Sequence, residues 1–249
     1  MSTRDSSALL ATSEPIARRI VRDLRHAIVT MRIRPGEKLS EQETAKRLGV
    51  SRQPVREAFI KLAEAGLVLI LPQRGTLVVK ISVDAVENAR FIREAIECAV
   101  VREAARRRDP AALAVARRVL DETAAAIASG DAERLFELDE EFHRALAAAA
   151  GRPDAWRVVE EQKAQMDRVR YLDMSDAIPM RIVLSQHLEI LAAIERGDAD
   201  AAERALRAHL SEILVSLPKL AERWPSLFEA PPRTAADPAF PALARVSVG

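Results

Sequence analysis

A single cysteine, Cys98, stands among 249 residues, which excludes an intramolecular disulfide. Placed beside Ala99 and Val100 in a helical pattern, it reads as a small buried thiol in a reducing compartment. Aromatic side chains make up only 4 % of the chain. Ala and Leu dominate its 49 % hydrophobic fraction, so helix packing is favoured over a β-sandwich. No apolar run approaches the ~18 residues of a membrane span, and the N-terminal MSTRDSSALLATSEP lacks a signal-peptide core. A cytoplasmic protein without a membrane partner is expected. An excess of one charge sign is also missing: the formal net charge is +1. Total charge therefore does not mark a nucleic-acid binder, and only its local distribution can.

What is there begins with Leu39 to Gly66, which reads as two short helices joined by a tight turn. Ser40 can cap the first, with Glu43 three residues on completing a capping box. Ala45 and Leu48 are expected to face inward, and Gly49 sits where a left-handed residue ends a helix. Ser51 can cap the second helix, and Pro54 falls in its first turn, where a missing N–H is harmless. Val55, Ala58, Phe59 and Leu62 form an apolar face at helical spacing. Arg52, Gln53 and Arg56 point away from it. A helix with a buried back and a front of Arg and Gln suits the major groove, because Arg reads guanine edges and Gln can read adenine. The alternative is a solvated basic face on an ordinary helical pair.

Before this pair, a helix is predicted from about Pro15 to Met31, with Ile16, Ile20, Leu24 and Ile28 as its stripe, and Pro35-Gly36 ends the connection. After it, Leu67 to Leu71 and Leu77 to Ile81 are β-prone runs around PQRGT. Gly75 supplies the tight turn there and Arg74 the tip. From Asp84 to about Leu220 strand signals are lacking, and six helices are predicted: Ala85 to Arg107, Pro110 to Ser129, Ala132 to Ala150, Asp154 to Asp173, Pro179 to Arg196 and Ala199 to Leu217. SGDAE at Ser129 and RGDAD at Arg196 each place Gly as a stop and Asp as the next cap. The fold class is mainly α: a winged helix-turn-helix over residues 14–81, then an antiparallel all-α bundle over 82–220. Residues 1–13 are expected to be disordered and the Pro-rich 221–249 mobile, with Trp224 and Phe228 able to dock its first part.

Three of the four histidines fall on core-facing positions of the bundle. Asp139 and His143, four apart, share one helix face. His187 lies among Val183, Ile190, Leu191 and Ile194, and His209 beside Leu206, Leu210 and Ile213. A buried histidine needs a partner. A lone one is usually satisfied by a carbonyl, but three imidazoles and a carboxylate facing one interior suit a borderline divalent metal, Zn²⁺ first, with Ni²⁺ or Mn²⁺ as alternatives. Since neutral imidazole is the ligand form, affinity is expected to fall as pH drops through the histidine range near ~6.5. Arg93 falls within the stripe Val86, Ala89, Ile96 and Val100, and a guanidinium there requires an anion. That anion is an internal carboxylate, Glu97 or Glu94, or a carboxylate ligand. Lys163, Arg168 and Arg170 are weaker candidates of the same kind, because their helix has no clean stripe.

GVSRQPVREA followed by IKLAEAGLVLILPQRGTLVV resembles the winged helix-turn-helix of GntR-type bacterial transcription regulators, and the later chain resembles the FCD effector domain of their FadR-like branch. The resemblance spans about Pro15 to Leu220. It implies double-stranded DNA as partner, a short palindromic operator bound by a homodimer, and probable sense as a repressor rather than an enzyme. Arg52, Gln53, Arg56, Arg74 and Gly75 match DNA-facing positions; Gln42 stands where some relatives carry a basic residue. The family's metal pattern, an Asp and a His four apart and two later histidines, matches Asp139, His143, His187 and His209. The family's preference for small organic acids makes Arg93 the expected clamp for a carboxylate effector. The competing readings are a metal-dependent enzyme acting on a small acid and a DNA-binding protein whose metal is purely structural.

Overall fold

The computed structural model describes residues 14–176 and 180–230. The expected disorder of residues 1–13, most of the expected mobile tail and the predicted helix start at Pro179 fall outside them. The elements in chain order are α1 (Ile16–Val29), β1 (Lys38–Leu39), α2 (Glu41–Leu48), α3 (Arg52–Glu64), β2 (Val68–Leu71), β3 (Gly75–Val78), α4 (Val83–Arg107), α5 (Pro110–Ser129), α6 (Ala132–Ala149), α7 (Pro153–Gln162), α8 (Ala164–Asp176), α9 (Met180–Arg196) and α10 (Ala199–Arg223).

The first half is a small three-helix unit with a sheet in the antiparallel order β1-β3-β2. Ile20, Leu24 and Ile28 of α1 pack on Val55, Ala58, Phe59 and Leu62 of α3, burying the α3 stripe and the α1 stripe except its first member, Ile16, which is exposed. Ser40 caps α2 by accepting from the Glu43 backbone N–H, and Gly49 ends it at φ 65°. Three local expectations are corrected. Leu48 is 40 % exposed, and Thr44 is buried in the turn before it. Ser51 occupies the cap position of α3 without a side-chain hydrogen bond. The hairpin turn centres on Pro72 and Gln73, where Gln73 takes φ 58° and Arg74 N–H donates to the Leu71 carbonyl at 3.0 Å. Gly75 instead opens β3 at φ 90°, where an added Cβ would stand 3.4 Å from the Leu39 carbonyl oxygen.

The second half is helical throughout among the described residues. Gly130 and Gly197 stop their helices at φ 70° and 76°, and Asp131 and Asp198 cap the next ones, as the Gly-Asp echo predicted. The bundle has seven helices where six were predicted, because the fourth breaks at Lys163 into α7 and α8. Trp156 and Val159 of α7 pack into the bundle core, whereas Ala164 at the start of α8 packs into the core of the N-terminal unit. One straight helix cannot serve both cores. The last helix also runs past the predicted end, through Pro218 to Arg223. Its Leu217 and Leu220 join Ile81, Val86, Met166 and Phe228 in a third cluster at the junction of the two halves. Phe228 docks there, but Trp224 remains 41 % exposed.

Candidate functional site

Two surfaces carry chemistry. On the first, the face of α3 opposite its buried stripe presents Arg52, Gln53 and Arg56, all exposed. They are not free. The Glu41 carboxylate accepts from Arg52 NH2 at 3.0 Å and from Arg56 Nε at 3.1 Å. The Arg56 bond, helped by Arg52, holds the Glu41 carboxyl below its ordinary range. Gln53 donates to Glu57 at 2.9 Å. Glu41, the first residue of α2, went unnoticed in the sequence because its partners lie eleven and fifteen residues away. Gln42 is exposed beside it, and Arg74 stands exposed at the hairpin tip with Gly75 behind it. Exposed Arg guanidiniums on a helix face have the chemistry to meet base edges and phosphates.

The second site is inside the bundle. Helix α6 supplies Asp139 and His143, α9 supplies His187 and α10 supplies His209. One ligand atom from each lies within 4.8 Å of all the others. Nε2 of His187 and His209 are 3.2 Å apart. Asp139 Oδ2 is 3.7 Å from His143 Nε2, and its Oδ1 is 3.7 Å from His187 Nε2. Ligand atoms around tetrahedral zinc with bonds near 2.0–2.1 Å stand about 3.3 Å apart. The quoted pairs are within a few tenths of an ångström of that spacing, and the widest separation, up to 4.8 Å, closes by about 1.5 Å around such an ion. Nε2 of His143 is buried with no hydrogen-bond partner, a state that costs free energy unless something accepts its lone pair.

Neighbouring groups fix which nitrogen faces the centre. Glu97 Oε2 lies 2.6 Å from His143 Nδ1, and Gln186 Oε1 lies 2.9 Å from His209 Nδ1. The Glu97 contact is off the hydrogen-bond axis, and a small ring rotation aligns it. Both place an acceptor on Nδ1 and leave Nε2 for a metal. Trp156 stacks on His143, and Phe142 on His187, so neither ring is free to turn far. Burial pushes the His187 imidazole down to about 3 and that of His209 well below its usual range. Burial alone would raise the Asp139 carboxyl, but Arg170 and the three histidines override it and hold the acid ionised.

Arg93 is 1 % exposed, as its place in the stripe required. Its Nε donates to Glu97 at 2.6 Å, while NH2 has no partner. The internal salt bridge and an unpartnered NH2 thus coexist on one side chain. A cavity of about 60 Å³ opens beside the cluster, lined by Arg93, Asp139, Arg170, His209, Met166 and Met174 among others. Arg170 is the residue that spacing undervalued. It reaches Asp139 and donates to Glu140 at 2.8 Å. Its helix is buried on every side from Ala164 to Arg170, so no stripe could mark it. Lys163, by contrast, is absorbed by Glu140 and Asp167 at 2.5 and 2.8 Å.

A winged helix-turn-helix joined to a helical bundle defines a class of DNA-binding transcription regulators. Residues 16–78 match the model for bacterial regulatory proteins of the gntR family, and residues 89–212 match the FCD domain. The chain is 46 % identical over 208 residues to the HTH-type transcriptional repressor RspR of Escherichia coli (strain K12), covering 84 % of this chain and 91 % of that one. A putative GntR regulator from Rhodococcus sp. RHA1 superimposes with a TM-score of 0.68 at 29 % identity, over 81 % of this chain and 97 % of its own. E. coli McbR/YncC shares the fold at a TM-score of 0.73 and 21 % identity, over 83 % of this chain and 99 % of its own. The chain belongs to the GntR family of bacterial transcription regulators and carries an FCD domain. Its relatives are transcription regulators, not enzymes, which removes the metalloenzyme reading. Among the described residues no helix is long and apolar enough to cross a membrane.

Proposed function

We propose that this protein is a metabolite-responsive repressor with a DNA-binding unit at 14–81 and an effector-binding and dimerising unit at 82–220. As a homodimer it binds a short palindromic operator. Arg52, Gln53 and Arg56 enter the major groove, Gln42 lies alongside, and Arg74 with Gly75 reaches the backbone or minor groove from the wing. Asp139, His143, His187 and His209 hold a divalent ion, zinc by donor set, with nickel or manganese as alternatives. When bound, that ion supplies a Lewis-acid coordination point for a carboxylate. Arg93 turns its unpartnered NH2 toward the same carboxylate and neutralises its charge.

The observation that carries the effector reading is the cavity beside the cluster, with a buried, half-satisfied guanidinium at its wall. Its 60 Å³ gives room for about four to six water-sized groups, which suits a small acid and not a long acyl chain.

The test begins with selection of an operator from random DNA by the zinc-loaded protein. Calorimetric titration of candidate small acids into wild type, His187→Ala and Arg93→Ala follows, with metal content measured alongside. His187→Ala should behave like chelation, losing metal and acid together. Arg93→Ala should keep the metal and lose the acid. Equal acid affinity in all three proteins would place the effector elsewhere. A metal that binds while no acid alters operator affinity would mean a purely structural ion. On the selected operator, Arg56→Ala should cost about 1–3 kcal/mol of discrimination against random DNA. An equal loss on both DNAs would reduce Arg56 to a phosphate contact.

A further inference from the structure

Helix α8 buries Asp167, Arg168 and Arg170 in succession, and burying charges is unfavourable unless each has a partner. Their partners form a path. Arg170 NH2 reaches Asp139, a member of the His/Asp cluster, while its NH1 donates to Glu140 at 2.8 Å and to Asp167 at 3.4 Å. Asp167 accepts from Lys163 at 2.8 Å on both oxygens. Its Oδ2 also lies 3.4 Å from NH2 of Arg25 on α1. That same nitrogen donates to the Glu160 carbonyl at 2.6 Å. An unbroken line of ion pairs therefore runs from the cluster to the helix that backs the DNA-reading α3. Neighbouring side chains tie α8 to the wing: Gln165 donates to the Gly66 carbonyl, and Arg168 to the Val79 carbonyl at 2.9 Å.

We propose that Arg170 and Asp167 are the positioning residues that carry the state of the metal and effector site to α1. The proposal rests on the metal reading above. Arg170 shares Asp139 with the place of the ion, and it also lines the cavity. A divalent cation on Asp139 is a like charge at close range, and the low-dielectric interior screens it weakly. Arg170 then leaves Asp139 for Glu140, Asp167 or a carboxylate in the cavity. Taken up more fully by Arg170, Asp167 loosens its already long contact with Arg25, and the turn of α1 around Arg25 is held less tightly, with the Glu160 carbonyl as its remaining partner. The ion acts because the two arrangements of Arg170 differ in affinity for it. A second tie, His26 and Arg32 on Glu133 of α6 at 2.7 and 2.5 Å, keeps the two halves joined in both states.

The experiment compares full-length wild type, Asp167→Asn and Arg25→Gln by amide hydrogen exchange with and without saturating Zn²⁺, with zinc affinity measured calorimetrically. In wild type, zinc should speed exchange in α1 about 5-fold or more, the low end of ordinary allosteric coupling. Both variants should still bind zinc, up to about 5-fold tighter than wild type because coupling is reciprocal, and lose the zinc-dependent change in α1. A passive clamp predicts otherwise: α1 would be looser in the variants but would respond to zinc as in wild type, and that result overturns the relay alone. Zinc binding to wild type without any change in α1 overturns it equally. Failure of zinc to bind wild type removes the metal reading and the relay together. Arg25 is partly exposed at 23 % of its side chain, so Arg25→Gln decides the matter even if Asp167→Asn does not fold.

Discussion

Burial sets the protonation of the cluster before any ion arrives. His187 is held down to about 3 because its charged form would be desolvated, and His209 moves the same way. The expected loss of metal near pH ~6.5 therefore shifts to more acid conditions: proton competition begins where the folded imidazoles titrate, not where free ones do. Zinc content after gel filtration should survive at pH 5.5; release at pH 6.5 would show that the rings are more open to water than their burial implies. The same groups govern the metal-free protein. An unfolded His187 takes up its proton near pH 6.5, whereas the folded one waits until about 3. The neutral form therefore contributes stability that is complete above ~6.5 and lost as pH falls toward 3. The slope is about 1.4 kcal/mol per pH unit for each such histidine. Urea unfolding of chelated protein across that range measures it, and a flat profile would contradict it.

Arg168 is a different kind of residue, buried without a carboxylate. Its NH1 meets Val79 and Gln165, its Nε and NH2 meet nothing, and burial lowers it to about 10. Arg168→Met forfeits a carbonyl hydrogen bond worth about 1 kcal/mol and removes a buried charge that costs several. The variant should be more stable by about 1 kcal/mol or more in denaturant titration; a loss would reveal an unseen anion at the junction. At this scale the sequence was legible wherever one residue type interrupted a clean stripe. His187 stood out because its neighbours at helical spacing were all apolar, and Arg93 because it interrupted the stripe of Val86, Ala89, Ile96 and Val100. Arg170 and Glu41 did not, since their meaning lies in partners from other helices.

Elements were readable from their ends. Gly-Asp pairs and Ser40 marked helix boundaries because capping is local chemistry. The break at Lys163 had no such mark. It arises because Trp156 and Ala164 belong to different cores, a fact that exists only in three dimensions. The two-residue β1 was missed for the same reason, since it is a strand only by pairing with β3. The predicted end of the last helix at Leu217 fell short, because the helix continues through Pro218. That proline lies exposed on α10, where the carbonyl it leaves unpaired can meet water, while Leu220 one half-turn on secures the helix to the junction cluster.

That cluster includes the first part of the tail. Ile81 N–H donates to Leu227 at 2.8 Å and Glu229 N–H to Ile81 at 2.9 Å, so Phe228 makes a single parallel bridge to Ile81 on the connection between the two halves. Phe228, 3 % exposed, fills the space between Ile81 and Leu220. Core Phe→Ala changes cost about 3–5 kcal/mol; a terminal segment can undock instead, which places Phe228→Ala near the lower end. Thermal unfolding of the variant should show that loss together with faster exchange at Ile81. An unchanged midpoint would mean that the segment is a passenger.

A palindromic operator of the kind proposed requires two heads at once. One helix-turn-helix buries too little DNA surface for strong specificity, and pairing heads matches operator symmetry to protein symmetry. The bundle offers a face for that pairing. Helices α4 and α10 pack antiparallel, with Arg102 reaching Asp200 at one end and Glu94 reaching Arg207 toward the other. On their outer sides Phe91 is 67 % exposed and Val215 57 %. Large apolar side chains left on adjacent helices are what a self-complementary face looks like on a single protomer. A dimer is therefore expected at micromolar concentration in sedimentation, free and on DNA. Phe91→Glu should shift it toward monomer by burying two unpaired charges across a twofold axis. Because the α3 surface is untouched, that variant should retain weak, non-specific DNA binding while losing the preference for the palindrome over a single half-site. Wild type that sediments as a monomer on DNA would sink the symmetric reading. A Phe91→Glu dimer as tight as wild type would move the contact to another face of the bundle.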